Sequence, residues 1–158
     1  MIINVSESLS NYIQIVENKV TNQKSLSATK SFKVGDVISK FIVANATTFP
    51  TYLTIQRNVN EHITLDPFFL QYTNHSCNPN VFFDITNLEY VAIKDIKIGD
   101  ELMFFYPSSE WNMTQSFECN CGSKNCLQTI KGAAHTSKEV LATYKLTDYI
   151  QIMLKNKP

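Results

Sequence analysis

The sequence predicts a mainly β fold of several small sheets, and three observations predict it. Short clusters of β-branched and aromatic residues are broken by Asn, Asp, Gly and Pro; two matching glycine turns each lead into such a cluster; and helix signal is sparse before residue 135. The clusters are Tyr12 to Val20, Val37 to Val43, Tyr52 to Ile55, Val81 to Ile85, Glu89 to Ile93 and Leu102 to Tyr106. The turns are Lys33-Val34-Gly35-Asp36 and Lys97-Ile98-Gly99-Asp100, read as two turns and not as a repeat.

The last segment changes character. Thr136-Ser137-Lys138-Glu139 has the spacing of a capping box, and Val140, Leu141, Tyr144, Ile150, Met153 and Leu154 follow at roughly helical intervals. This predicts a C-terminal helix from about Ser137 to Lys155, within a segment 136–156 packed on the sheets.

Bulk properties narrow the function classes. A chain of 158 residues fits one domain with a real core. With 14 basic and 14 acidic residues the net charge is zero, so nothing in the bulk charge points to a surface that holds a phosphate backbone or an anionic membrane. Neither direct nucleic-acid contact nor a membrane is expected. The first 20 residues have no basic flank leading into an apolar run, which makes a soluble intracellular protein the expectation, cytoplasmic by default with the nucleus left open. The sequons at Asn4, Asn45, Asn74 and Asn112 carry no weight without a secretion signal.

Cys119, Cys121 and Cys126 sit within eight residues, and Cys77 lies far upstream. Tetrahedral zinc takes four thiolates. The loop supplies three, with Gly122 letting the backbone turn back, and Cys77 is the remaining donor. Two disulfides are the competing reading of an even count, although they belong to oxidising compartments. Four unrelated buried thiols are the third reading, and they would leave the eight-residue cluster a coincidence.

The peptide Asn74-His75-Ser76-Cys77-Asn78-Pro79-Asn80 resembles the NHSCxPN signature of SET-domain protein-lysine methyltransferases. Gly99-Asp100-Glu101-Leu102-Met103-Phe104-Phe105-Tyr106 is similar to that family's GxELxFDY strand, and Phe117 followed by the cysteine loop resembles its post-SET zinc motif. Lys24 through Ile38 is similar to the weaker first motif, with Gln23-Lys24-Ser25 where the family has GxG. The resemblance implies a SET-domain fold over 10–107, in which the two main motifs interlock as a pseudoknot among small curved sheets. It implies a post-SET zinc motif over 115–131, and the C-terminal helix follows at 136–156.

The resemblance also implies S-adenosylmethionine and zinc as cofactors and a lysine-bearing protein or peptide as substrate. Lys24, Ser25, Leu26, Tyr72, Asn74, His75, Tyr106 and Phe117 would line the cofactor site. Tyr106 matches the catalytic tyrosine, and Phe104 the position where phenylalanine tends to permit di- or trimethylation. The metal ligands would be Cys77, Cys119, Cys121 and Cys126.

Transfer from a sulfonium is an in-line displacement, so alignment supplies much of the rate. The attacking amine must be neutral, and an apolar aromatic channel beside a cation lowers lysine's pKa from about 10.4. Phe41, Tyr52, Phe104, Phe105 and Tyr106 are the candidates for that channel, although an aromatic residue in a strand more often simply packs a core. Trp111 would cover the cofactor or pack the post-SET loop. Departures at Gln23-Lys24-Ser25, at Phe41, at Phe105 in place of the usual aspartate and at Gln71-Tyr72-Thr73 mark a divergent subgroup, and the missing glycines with Phe41 leave a SET-like peptide-binding module of weak or no activity as the alternative. A homodimer would be one way for so small a domain to complete its substrate groove.

Overall fold

The computed structural model describes residues 2–3 and 12–158, so the Asn4 sequon and the first residues of the domain expected from residue 10 lie outside it. Among the described residues, four small sheets carry the fold. The first contains β1 (Ile2–Ile3), β2 (Ile13–Glu17) and β3 (Lys24–Ala28). The second begins with β4 (Val37–Lys40), and the third is made of β5 (Ile42–Thr47), β6 (Ile55–Asn58) and β7 (Glu61–Asp66). Then come β8 (Asn74–His75), β9 (Val81–Asp84), β10 (Glu89–Ala92) and β11 (Glu101–Phe104), with β12 (Phe117–Glu118) and β13 (Thr129–Ile130) forming the fourth sheet. The first sheet has the order β1-β2-β3-β11-β8, and the second β4-β10-β9.

The two glycine turns are built alike, as their sequences predict. Gly35 and Gly99 both have φ 93, a left-handed value that glycine adopts without steric cost. In each turn the aspartate side chain accepts the lysine amide at 2.8 Å, from Lys33 to Asp36 and from Lys97 to Asp100. The residues just ahead of the turns, Phe32 and Ile96, bridge to each other, which sets the second sheet against the first.

Other expectations shift for local reasons. The strand expected over Tyr12 to Val20 ends at Glu17, because the Asn18 side chain accepts the amides of Val20 and Thr21 and forms a turn there. The cluster Val37 to Val43 is divided between β4 and β5, and at the break Phe41 buries its ring (4% exposed) while its amide bonds Leu88 O. Tyr52 to Ile55 is mostly a turn, in which Thr51 N donates to Thr54 Oγ1, and β6 starts at Ile55. Strands outside the expected clusters include β3, with its serines, and β7, where His62, Ile63 and Leu65 are buried in a polar-looking stretch.

One core joins the first three sheets, with Leu26, Ile63, Leu70, Tyr90 and Leu102 wholly covered. The expected C-terminal helix is met in two pieces, α1 (Lys138–Leu141) and α2 (Asp148–Asn156). Ser137 caps the first, accepting Val140 N, while Thr136 instead donates to Gly132 O. Thr147 caps the second by accepting Ile150 N. The interruption places Tyr144 flat on Phe105, ring centroids 3.7 Å apart and 7° from parallel. This contact accounts for a phenylalanine where the resembling motif carries an aspartate: Phe105 is 2% exposed and anchors a separate core with Ala133, Leu141 and Ile150. Among the described residues no helix is long and apolar enough to cross a membrane.

Candidate active site and thiolate centre

The site grows from the lacing of two segments. β11 pairs antiparallel with β3 on one side and parallel with β8 on the other, Met103 against Asn74 and Phe104 against His75. Beyond β8 the chain stays bound to the same strand: Ser76 N donates to Phe104 O at 3.0 Å, Asn80 N to Met103 O at 3.1 Å and Asn80 Nδ2 to Glu101 O at 2.8 Å. Met103 N returns a bond to Asn80 Oδ1 at 2.9 Å. The asparagine side chain thus completes a ladder that backbone alone would leave open.

Tyr106 follows directly, at the start of a 3-10 turn over Tyr106–Ser108. Its hydroxyl donates to Thr73 O at a long 3.4 Å. Burial first, then the charges of Glu110 and Glu101, push its pKa up to about 12, so the phenol keeps its proton at neutral pH. Around it stand Phe104 (ring centroids 4.6 Å apart), His75 (5.1 Å) and Phe117 (5.7 Å). Phe83 packs on Phe104 at 4.8 Å and Phe41 on Phe83 at 6.0 Å, so a chain of rings runs from the core to Tyr106. Sequence reasoning named Phe41 and Phe104 but not Phe83.

Two channel candidates fall elsewhere. Tyr52 is 91% exposed in the turn before β6, and Phe105 points its face at Tyr144. Of the cofactor-site candidates, Asn74 Nδ2 donates to Lys24 O at 3.1 Å, and the Lys24 ammonium lies 5.0 Å from the centre of the Tyr72 ring. Lys24, Tyr72 and Asn74 therefore meet beside His75, while Ser25 bonds Val16 O and the Leu26 side chain belongs to the core. Around the missing glycines the left-handed backbone position is Asn22, φ 56, and Lys24 and Ser25 are regular strand.

The four cysteines come together. Their sulfurs lie within 4.8 Å of one another, and Cys77 and Cys119 are 4.0 Å apart. All are free thiols, so the disulfide reading fails. Sulfurs sharing one tetrahedral zinc at about 2.3 Å would stand about 3.8 Å apart, and the cluster fits that ion. Burial, with the charges of Cys119 and Cys121 and against the Leu127 amide, pushes the Cys77 thiol far up; burial raises Cys119 to about 11. At Cys121 burial is outweighed by hydrogen bonds from Ser123, which hold the thiol down at about 6. Four thiolates this close repel one another, and a divalent cation removes that cost. β12 and β13 clamp the loop, and Asn125 and Tyr144 both donate to Cys77 O, at 2.9 and 2.6 Å.

Glu110 had no sequence signal, being one acidic residue four positions after Tyr106. Its carboxylate accepts Gln56 N at 2.8 Å, while Trp111 N donates to Gln56 Oε1 at 2.9 Å and Gln56 Nε2 to Tyr149 OH at 3.3 Å. The third sheet is thereby tied to the C-terminal helix beside Tyr106. Burial, opposed by the bonds from Gln56 and Ser109, raises the Glu110 pKa to about 7. The fold therefore holds this proton more tightly than the unfolded chain, whose value is near 4.5. The associated stability is complete below that value and is lost as pH rises through about 7. Glu110→Gln is expected to melt like the parent near pH 4.5 and to exceed it by about 1–2 kcal/mol at pH 8 in paired thermal unfolding curves.

Against known proteins, the SET domain family model matches residues 3–107. The chain belongs to the SET-domain family. This SET domain is 35% identical over 147 residues to the methyltransferase flvH of Aspergillus flavus, spanning 92% of this chain and 82% of that one. It is 28% identical over 88 residues to a histone-lysine N-methyltransferase, H3 lysine-36 specific, of Candida albicans, covering only 10% of that protein. Its fold matches the methyltransferase domain of human SETMAR, with a TM-score of 0.56 and 17% identity, over 82% of this chain and 61% of that one. It also matches KRYPTONITE solved with mCHH DNA, an H3(1-15) peptide and SAH, with a TM-score of 0.56 and 18% identity, over 78% and 30% of the two chains. The relatives put this SET domain among methyltransferases.

Proposed function

We propose that this SET domain is an S-adenosylmethionine-dependent protein-lysine methyltransferase with Tyr106 at the reacting centre. The observation that carries this reading is the packing of the Tyr106 ring, whose hydroxyl keeps its proton, against Phe104, His75 and Phe117, two residues beyond the strand laced to Asn74 and His75. The cofactor would lie along Lys24, Tyr72, Asn74 and His75, in keeping with SAH in the KRYPTONITE complex.

S-adenosylmethionine would supply the methyl group, which the lysine nitrogen would take as the carbon–sulfur bond broke, S-adenosylhomocysteine leaving with the electron pair. The amine must arrive unprotonated, and the apolar rings penalise its charged form. Because Tyr106 remains a phenol, it orients the amine and the methyl group and takes no proton at neutral pH. Phe104 adds no hydroxyl to the channel, which leaves room for an amine already methylated and favours di- or trimethylation. Cys77, Cys119, Cys121 and Cys126 would hold zinc, whose chemistry here is to cross-link the post-SET loop to the segment after β8. Phe117 is thereby kept against Tyr106 and His75.

Calorimetric titration of the zinc-loaded protein with S-adenosylmethionine and S-adenosylhomocysteine, followed by transfer of labelled methyl to an H3 peptide and to mixed protein lysines, tests the reading. Saturable binding of both nucleosides together with label on lysine is expected. A folded, zinc-replete protein that binds a peptide but neither nucleoside would support the non-catalytic module, which the glycine-free Gln23-Lys24-Ser25 stretch favours.

A further inference from the structure

A single imidazole stands between the reacting tyrosine and the thiolates, its two nitrogens facing opposite ways. His75 Nδ1 accepts the Tyr106 amide at 3.1 Å and so carries no proton. A neutral ring then carries its proton on Nε2, which lies 3.4 Å from Cys77 Sγ. We propose that His75 is a positioning residue that couples metal occupancy at Cys77, Cys119, Cys121 and Cys126 to the placement of Tyr106. The coupling rests on the reading of Tyr106 as the reacting residue, and it adds to the His75 main chain a role for its side chain.

Three features make the link necessary in this fold. The β11 ladder stops at Phe104, so the Tyr106 amide has no strand partner, and Nδ1 is the group that satisfies it. The ring is hemmed by Phe105 at 5.7 Å, Tyr106 at 5.1 Å and Phe117 at 5.6 Å, and Phe117 rides on the strand pair next to the cysteine loop. A metal-bound thiolate can only accept, so it chooses the Nε2–H tautomer and leaves Nδ1 free for Tyr106. Cys77 Sγ also receives the Leu127 amide at 3.4 Å, so donors reach this sulfur from both the loop and the active-site side. Without the ion the sulfur is not held, and the ring loses the partner that selects its tautomer.

The test needs no methyl transfer. In the zinc-loaded full chain, nitrogen NMR of 15N-labelled histidine is expected to show His75 as the Nε2–H tautomer, with the Tyr106 amide protected from exchange. His75→Asn places an oxygen near the Nδ1 position but has no donor toward the sulfur; it should keep Tyr106 protected while zinc affinity, read by competition with a chromophoric chelator, falls about 10–100-fold. His75→Gln should do the opposite, supplying an amide donor to Cys77 and leaving the Tyr106 amide to exchange. An Nδ1–H or doubly protonated ring in the zinc-loaded parent, or undiminished zinc affinity in His75→Asn, overturns the coupling. The tautomer of the parent decides the matter even if the variants fail to fold. If these signatures hold and no methyl is transferred, the lysine-methyltransferase reading is what fails.

Discussion

Tyr106→Phe is expected to reduce methyl transfer at least about 100-fold while leaving metal content and fold intact. The ring stays, with its contacts to Phe104, His75 and Phe117, and only the oxygen is removed from the point where nucleophile and methyl must align. The stability cost is small, because the hydroxyl's described bond, to Thr73 O, is 3.4 Å long. A weak bond of this kind is worth at most about 1 kcal/mol, or a fall of about 2–4 °C in melting temperature for a chain of this size. Turnover measured with labelled S-adenosylmethionine, beside a melting curve and a metal assay, separates the two effects. Undiminished turnover in the variant would remove Tyr106 from the reacting centre.

Cys77→Ser and Cys121→Ser are each expected to lose the stoichiometric zinc and to loosen the chain from about Met113 to Lys131. The two variants differ in surroundings, which makes the pair informative. Cys77 is wholly buried, accepts from His75 and Leu127, and lies where Tyr144 and Asn125 grip its carbonyl; serine there also disturbs the core. Cys121 is half-buried and touches Ser123, so its replacement removes a ligand with little else. Structural zinc contributes about 10–16 kcal/mol of binding free energy in small zinc-finger peptides, and here it would be spent closing the loop. Elemental analysis and limited proteolysis read the outcome, and a strong chelator added to the parent should reproduce the Cys121→Ser pattern. Full metal retention in both variants would sink the four-thiolate site.

Much of this site was legible because its motifs combine backbone need with chemistry. The Asn80 side chain both donates to β11 and accepts from it, which explains an asparagine that spacing alone could only mark. The meeting of Cys77 with the distant loop could be anticipated from the donor count a tetrahedral ion demands. Illegible were the residues whose part depends on partners far along the chain. Glu110 is ordinary until Gln56, 54 positions earlier, donates into it, and Phe105 is an odd substitution until Tyr144 lies on it. Tyr52 fits an aromatic-channel pattern, yet it sits in a turn that faces solvent.

By itself, the sequence determined the mainly β class, the matched turns at Gly35 and Gly99 and the set of four cysteines, because each depends on local backbone geometry or on a fixed number of donor atoms. The tertiary structure alone decided which rings face Tyr106, where the C-terminal helix breaks and which nitrogen of His75 meets which partner. Those choices are made by packing between segments far apart in the chain, where a centroid distance or a hydrogen-bond direction exists only once both partners are in place.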